Sequence, residues 1–493
     1  MDMDLPPSDL IYFVMVDRFA NGDPQNDDEI DPSDPHAFHG GDLAGVIKHI
    51  DHFASLGVGT LWLSPIAKSR TEPFGKWGAF HGYWVDDLSI MEPRFGDWQT
   101  LKALSDGLHQ REIGLLLDMV FNHVGFDAPL LSEHPDWFHT QPTITDWDDP
   151  IAVVQGQVHG LPDLAQERPE VSDYLVAQSL SWAQRSGADG FRIDAVRHMP
   201  TPFLSNLNNT LHNELGSDFL TLGETFEGDV PAIAKSLTDT GFDAMFDFPL
   251  HFAATQWYCK DGTGQQLAHV LSSDWRYANP ANLVTFLDNH DTPRIASTCV
   301  GEEPRIQNAL ALLFLIRGTP SITYGTEALL SGAKEPENRK DMEWTLDPAT
   351  VHTLQQGVAL RKRHPFLRDA VTWVLRGDNE QVTFLRVADR KIAMVTVHRD
   401  APDAPAIHAP DSWPASARNS PTIEVWPEAQ QSSAVQVEIK EGDFTGLVGK
   451  LQSRLGQPRP VQVVLDHPQL SDGDMLMVVG GASELGSWDP HRG

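Results

Sequence analysis

The chain has 493 residues, too many for one ordinary core, and its 41% apolar and 21% charged residues are a globular mix that excludes wholesale disorder. Its 36 Lys and Arg against 69 Asp and Glu give a formal charge of −33, which repels phosphate backbones and argues against a nucleic-acid partner. No run approaches the roughly 18 apolar residues that cross a bilayer, so no membrane insertion is expected, and the acidic balance reads as a soluble surface.

The N-terminal stretch Met1–Pro7 is acidic and prolyl and lacks the basic and apolar regions of a leader. We read the chain as extracellular with its leader removed; a cytoplasmic protein is the alternative. Cys259 and Cys299 are too few for a disulfide scaffold or a four-cysteine zinc site. They read as two buried thiols, with a single disulfide as the alternative.

From the N-terminus, short apolar runs alternate with amphipathic stretches. Strands are predicted at Ile11–Val16, Thr60–Leu63, Gly114–Met119, Gly190–Ile193, Phe219–Leu222, Ala244–Phe248, Leu283–Leu287 and Ser321–Tyr324. Helical periodicity falls between them, at Leu43–Leu56, Trp98–Arg111, Val171–Ser186, Pro202–Leu215 and Arg305–Leu315. Eight buried strands alternating with helices predict an α/β fold, the (β/α)8 TIM barrel, over residues 1–122 and 164–368. Residues 123–163, rich in Pro, Trp, Asp and His, are too long for a simple loop and predict an inserted subdomain after the third strand. After Leu367 the period becomes two (Val371–Leu375, Gln381–Val387, Lys391–Val397), which predicts an antiparallel β-domain over residues 369–442. A linker is expected at 443–459. A last β-like segment, 460–493, ends too soon to close a sandwich.

Acids and histidines gather just after the predicted strands: Asp118, Asn122 and His123; Arg192, Asp194 and His198; Glu224; His290 and Asp291. In a (β/α)8 barrel these are the C-terminal strand ends, where active sites assemble. One Asp after a strand is commonly only a helix cap. Asp194, Glu224 and Asp291, after strands four, five and seven, point instead to one pocket. Retaining glycoside hydrolysis needs an ionised carboxylate nucleophile and a second carboxyl that holds its proton near neutral pH. Arg192, two residues before Asp194 on the same face of the strand, would keep the nucleophile charged.

Seven stretches in order make the sequence recognisable: GVGTLWLSP (57–65), DMVFNH (118–123), LPDL (161–164), GFRIDAVRH (190–198), GET (223–225), FLDNHD (286–291) and GTPSITYGTE (318–327). The chain resembles the bacterial members of the α-amylase family, glycoside hydrolase family 13, from about Leu10 to Thr345 and more loosely beyond. The resemblance implies that Asp194 is the nucleophile, Glu224 the general acid/base and Asp291 the acid that holds ring hydroxyls. It implies substrate contacts from Tyr83 and His81 (in HGYW), His123, Arg192, His290 and Arg339, with Arg197 and Phe226 on the leaving-group side. For Tyr83 the plain alternative is core packing.

The same resemblance implies Ca2+ as cofactor, since calcium takes six to eight oxygen ligands. Asn122, Asp163 and the backbone carbonyl of His198 would tether the inserted subdomain; Asn21, Asp23, Asn26, Asp27, Gly40 and Asp42 match a second site, whose alternative is an ion-free Asx-rich turn. The segment 473–490, with its Leu-Gly-x-Trp-Asp motif, looks like the opening of a starch-binding module. The function expected is that of a monomeric, endo-acting α-amylase on starch and maltooligosaccharides. Cyclodextrin glucanotransferase or a cyclomaltodextrinase-like transglycosylase is the alternative. His159, where cyclising enzymes carry a large aromatic, disfavours ring formation, while Phe226 keeps transglycosylation open. A non-catalytic scaffold is disfavoured because all three acids are present.

Overall fold

The computed structural model describes residues 10–400, 422–426 and 434–456. Eight parallel strands close a barrel: β1 Ile11–Val14, β2 Thr60–Leu63, β3 Gly114–Met119, β4 Gly190–Ile193, β5 Leu220–Gly223, β6 Ala244–Phe246, β7 Leu283–Thr285 and β8 Thr319–Thr323. Each pairs with its sequence neighbours, and β8 returns to β1 through Ile11–Ser321 and Phe13–Thr323. Every strand position except Gly114 is buried, which is why these segments read as continuous apolar runs rather than alternating ones. All eight predicted strands are present, three with the predicted bounds and five with ends shifted by one or two residues.

The predicted helix Leu43–Leu56 is two helices, Leu43–Lys48 and Ile50–Leu56. His49 leaves helical geometry between them, and its ring stacks on Trp344 at 3.9 Å. The inserted segment carries only short helices, Pro129–Glu133 and Pro150–Gln155, and a bridge between His123 and Asp163 joins its two ends where it leaves and re-enters the barrel. A feature without counterpart in the sequence reading is a small antiparallel pair after β2, Ala67–Ser69 with Val85–Met91. It carries His81 and Tyr83 to the barrel mouth in its connecting loop, and Gly125 N–H donates to the Val85 carbonyl at 2.7 Å.

The C-terminal sheet has five antiparallel strands: β9 Val371–Gly377, β10 Gln381–Val387, β11 Lys391–His398, β12 Thr422–Trp426 and β13 Val435–Glu441, in the order β9-β10-β11-β13-β12. A buried polar knot joins it to the barrel. Arg317 pairs with Asp247 (2.8 Å) and Asp274 (2.7 Å), and Asp274 accepts from Thr372 Oγ1 on β9 (2.6 Å). The expected linker differs: Thr445–Gln452 is a helix, because Phe444 and Leu451 cover the outer cluster of Val387, Ile392 and Met394 on the sheet. The starch-binding-like segment from 460 lies outside the described residues.

The expectation of free thiols is corrected. Cys259 ends the helix Phe248–Cys259, Cys299 follows the short helix Ile295–Thr298, and the two form a disulfide across 40 residues. The pairing arises because the connections after β6 and β7 are neighbours on the barrel wall, a proximity that two isolated cysteines do not announce. Among the described residues no helix is long and apolar enough to cross a membrane.

Candidate functional site

At the C-terminal mouth of the barrel a cavity of about 820 Å3 is lined by Asp194, Glu224 and Asp291 together with Tyr83, His81, His123, His290, Arg339, Arg197 and Phe226. Every substrate-contact residue expected from the sequence therefore reaches it except Arg192, which lies beneath. Arg192 is wholly buried on β4, and alternation along the strand points it to the same side as Asp194. Its Nη1 donates to Asp194 Oδ1 at 2.7 Å and Asp118 Oδ1 at 2.8 Å, and its Nη2 lies 3.7 Å from Glu224 Oε2.

The backbone turns sharply to hold these groups. Ala195, directly after Asp194, has φ of 51°, a left-handed conformation that costs a non-glycine residue roughly 1–3 kcal/mol. The turn aims the Ala195 N–H at Glu224 Oε2, 3.1 Å away. Burial pushes the Glu224 carboxyl up to about 8, a rise that the nearby Arg192 opposes and the charges of Asp194 and Asp291 reinforce. Asp118 is raised too, first by burial, and gives its second oxygen to Trp62 Nε1 (3.1 Å) and the Tyr83 hydroxyl (2.9 Å). Asp118 lies on β3, and the sequence alone assigns it no role. Its signal was the first letter of DMVFNH, an acid on a strand that proves fully buried.

Asp291 sits on the loop after β7. Its side chain is partly exposed; the water it does lose at the barrel mouth would raise its carboxyl, but His290, Arg339 and Arg192 outweigh that and hold it below the ordinary range. Arg339 Nη2 donates to Asp291 Oδ1 at 2.9 Å, while Nε donates to the His290 carbonyl at 2.9 Å. His290 is packed between Phe13 and Tyr83, with ring centroids at 4.7 and 5.1 Å. Burial lowers it to about 3, so it is a neutral imidazole at ordinary pH. His81 Nδ1 accepts from Tyr83 N–H (3.0 Å), and burial keeps this ring neutral as well. His123 lines the cavity, but its Nε2 already donates to the Tyr83 carbonyl at 3.1 Å. It braces the Tyr83 loop.

On the other side, Arg197 Nη2 donates to the Trp147 carbonyl (2.9 Å) and Nη1 pairs with Glu227 (3.3 Å). Phe226 is largely exposed, its ring 4.6 Å from Phe248. Trp147, from the inserted segment, shares the cavity; the sequence reading missed it because an aromatic in an irregular loop has no periodicity to place it.

The residues expected at calcium lie outside this cavity, His198 apart, and among the described residues no three acidic, His or Cys side chains are arranged to hold a metal ion by themselves. An ion would therefore rest mainly on amide and backbone oxygens. At the root of the inserted segment, Asn122 Oδ1 and Asp163 Oδ1 are buried without a hydrogen-bond partner, as atoms facing a cation would be. Asp163 Oδ2 is taken by His139 Nδ1 at 2.6 Å, and the His198 ring bonds the Val153 carbonyl at 2.9 Å, leaving its main chain for an ion. In the loop of Asn21, Asp23, Asn26, Asp27, Gly40 and Asp42, Asn26 Oδ1 is likewise buried and orphaned. A Cβ on Gly40 would come within 2.8 Å of both Asn21 Nδ2 and Asp27 Oδ1, so only glycine leaves this cradle open. Asp42 is committed at both oxygens: Oδ1 accepts from Gly22 N–H (3.0 Å) and Gly45 N–H (2.6 Å), and Oδ2 from Asp23 N–H (2.8 Å) and Asn26 Nδ2 (3.2 Å), so an ion in this loop would rest on the Asn26 amide oxygen and backbone oxygens. Both sets fit calcium.

The family model for the catalytic domain of α-amylases matches residues 13–404. A cyclomaltodextrinase of a Bacillus species is 32% identical over 418 residues, covering 79% of this chain and 72% of that protein. A β/α-amylase of Paenibacillus polymyxa is 31% identical over 385 residues, 73% of this chain but 31% of that longer protein, so the chain spans about a third of it. Among solved structures, the α-amylase of Geobacillus thermoleovorans complexed with acarbose superposes with a TM-score of 0.79 at 30% identity, covering 89% of this chain and 99% of that one.

The raised Glu224 links stability to pH. Between about 4.5, its ordinary value, and about 8, the folded chain keeps a proton that the unfolded chain has released, so stability falls as pH rises through that window. Glu224→Gln removes this linkage. The melting temperature of the variant relative to wild type is expected to rise across the window and level off above it; a difference independent of pH would contradict the assignment.

Proposed function

The chain belongs to the α-amylase family, and we propose that it is a retaining α-1,4-glucosidase of cyclomaltodextrins and short maltooligosaccharides. The observation that carries the chemistry is Arg192 gripping Asp194 at 2.7 Å while Glu224 stands 3.7 Å from the same guanidinium. Such closely placed carboxyls suit retention. Asp194 attacks the anomeric carbon as the glycosidic bond breaks, and Glu224 gives its proton to the departing oxygen. A glycosyl ester on Asp194 results. Glu224, now ionised, takes a proton from water, which attacks the same carbon and restores Asp194. Asp291, oriented by Arg339, and the neutral His290 hold the hydroxyls of the distorted ring. Arg197 and Phe226 receive the leaving glucan, and an aromatic there lets a second sugar compete with water. His159 in place of a large aromatic supports ring opening over ring closure.

The substrate class is supported by the cyclomaltodextrinase relative, whose likeness extends over most of both chains. A second reading, the endo-acting α-amylase, is favoured by the Geobacillus neighbour, which this chain covers almost completely. Initial rates separate them. Hydrolysis of cyclomaltoheptaose several-fold more efficient than that of soluble starch, with small linear products from the start, is expected. A rapid fall in polymer size with slow attack on the ring would install the endo reading instead.

We also propose calcium at both oxygen sets, where it would tie the inserted segment to the barrel and brace the loop before the first helix. Held there by these residues, it would supply charge compensation and rigidity, away from the acid–base steps. The Cys259–Cys299 bond supports an oxidising, extracytoplasmic location. Because an ion bound only by the folded chain stabilises it, stripping with EDTA is expected to lower the melting temperature by several degrees and added Ca2+ to restore it. No shift at any chelator concentration would dismiss both sites.

A further inference from the structure

Large rings exposed at the edge of a sugar cleft are costly to leave in water and are natural stacking faces for the apolar side of a pyranose. Phe74 is such a ring. It is 46% exposed, lines the same cavity as the three acids, and lies outside the stretches that carry the family resemblance. Its inner face lies flat against Phe126, with centroids 3.8 Å apart and planes within 9°. Trp84 meets both rings edge-on, at 6.3 and 5.3 Å. One face of the pair is thus covered by protein, and the other is left to the cleft.

The pair is built to stay in place. Phe74 and Trp77 exchange both backbone hydrogen bonds (2.8 and 3.1 Å) across Gly75, whose φ of 64° suits a glycine at that turn. The Arg70 guanidinium donates to the Phe126 carbonyl and pairs with Asp127 at 3.3 Å, so the loop bearing Phe74 is anchored to the strand exit bearing Phe126. Trp77 in turn packs edge-on against His36 (4.3 Å), in the segment whose His39 bonds Asp341, two residues beyond Arg339. The platform is thus tied through this segment to the Arg339 side of the cleft.

We propose that Phe74, backed by Phe126, is a stacking platform for a glucosyl unit of a cyclic or longer α-glucan, beyond the units held at the acids. This rests on the glucan-hydrolase reading above and adds a specificity-determining residue to it. A rigid aromatic pair loses little freedom on binding, so each stacked sugar gains affinity at low entropic cost. The gain falls on substrates long enough to reach the platform.

The test compares kcat and KM of wild type, Phe74→Ala and Phe74→Trp on cyclomaltoheptaose and on maltotriose. Phe74→Ala is expected to lower kcat/KM on cyclomaltoheptaose at least fivefold more than on maltotriose, chiefly through KM. Phe74→Trp, which keeps a flat ring, is expected to recover most of that loss. An equal fall on both substrates would mark a merely structural ring, and no fall on either would remove Phe74 from the binding path; each overturns the platform. Wild type inactive on both sugars would instead overturn the glucan-hydrolase reading itself.

Discussion

One buried guanidinium stands among three carboxyl groups, and that imbalance governs the site. Arg192 can compensate one negative charge, yet Asp118, Asp194 and Glu224 all face it. At about 3 Å and an effective dielectric near 20, each ionised contact is worth roughly 5 kcal/mol, while taking each further carboxylate out of water costs several kcal/mol. All three cannot be charged cheaply. The group farthest from the guanidinium, Glu224, retains a proton into the neutral range, while Asp194 is paired to it directly at the cavity edge. Distance sets Glu224 apart from Asp194, and burial sets Asp118 apart, whose carboxyl is raised although it lies only 2.8 Å from the same nitrogen.

The barrel exists around this arrangement as much as beneath it. Arg192 can be fully buried because β3, β4 and β5 are adjacent and parallel, so the acids at their ends converge from three segments far apart in sequence. Phe13 and Trp62 floor the mouth and press His290 into place, and the loop of His81 and Tyr83 closes it from the β2 side. The left-handed Ala195 is a local strain that the surrounding hydrogen bonds maintain. Stability is spent on geometry here, as buried charge at a reactive site generally requires.

Much of this was legible beforehand because it is local or periodic. Continuous apolar runs separated by amphipathic helices announce parallel strands, and an Arg two positions before an Asp on a strand must share its face. What escaped was set by tertiary neighbours. The role of Asp118 depends on register between β3 and β4, where it lies opposite Arg192. The Cys259–Cys299 bond depends on adjacency of two connections around the barrel. Trp147 and Phe74 sit in irregular loops, whose side chains acquire direction only from what the loops are tied to. His123, expected at the sugar, lines the cavity, and the bond from its Nε2 to the Tyr83 carbonyl depends on a loop packed against it.

The most direct test of the double displacement at Asp194 is the anomeric configuration of the first reducing end released, followed by proton NMR within the first minutes of hydrolysis, before mutarotation. Attack by Asp194 and then by water at the same carbon inverts it twice, so the α-anomer should accumulate first and decay slowly to the equilibrium mixture. A β-anomer appearing first would mean that water attacks directly, and that Asp194 and Glu224 do not act as the pair their shared grip on Arg192 implies.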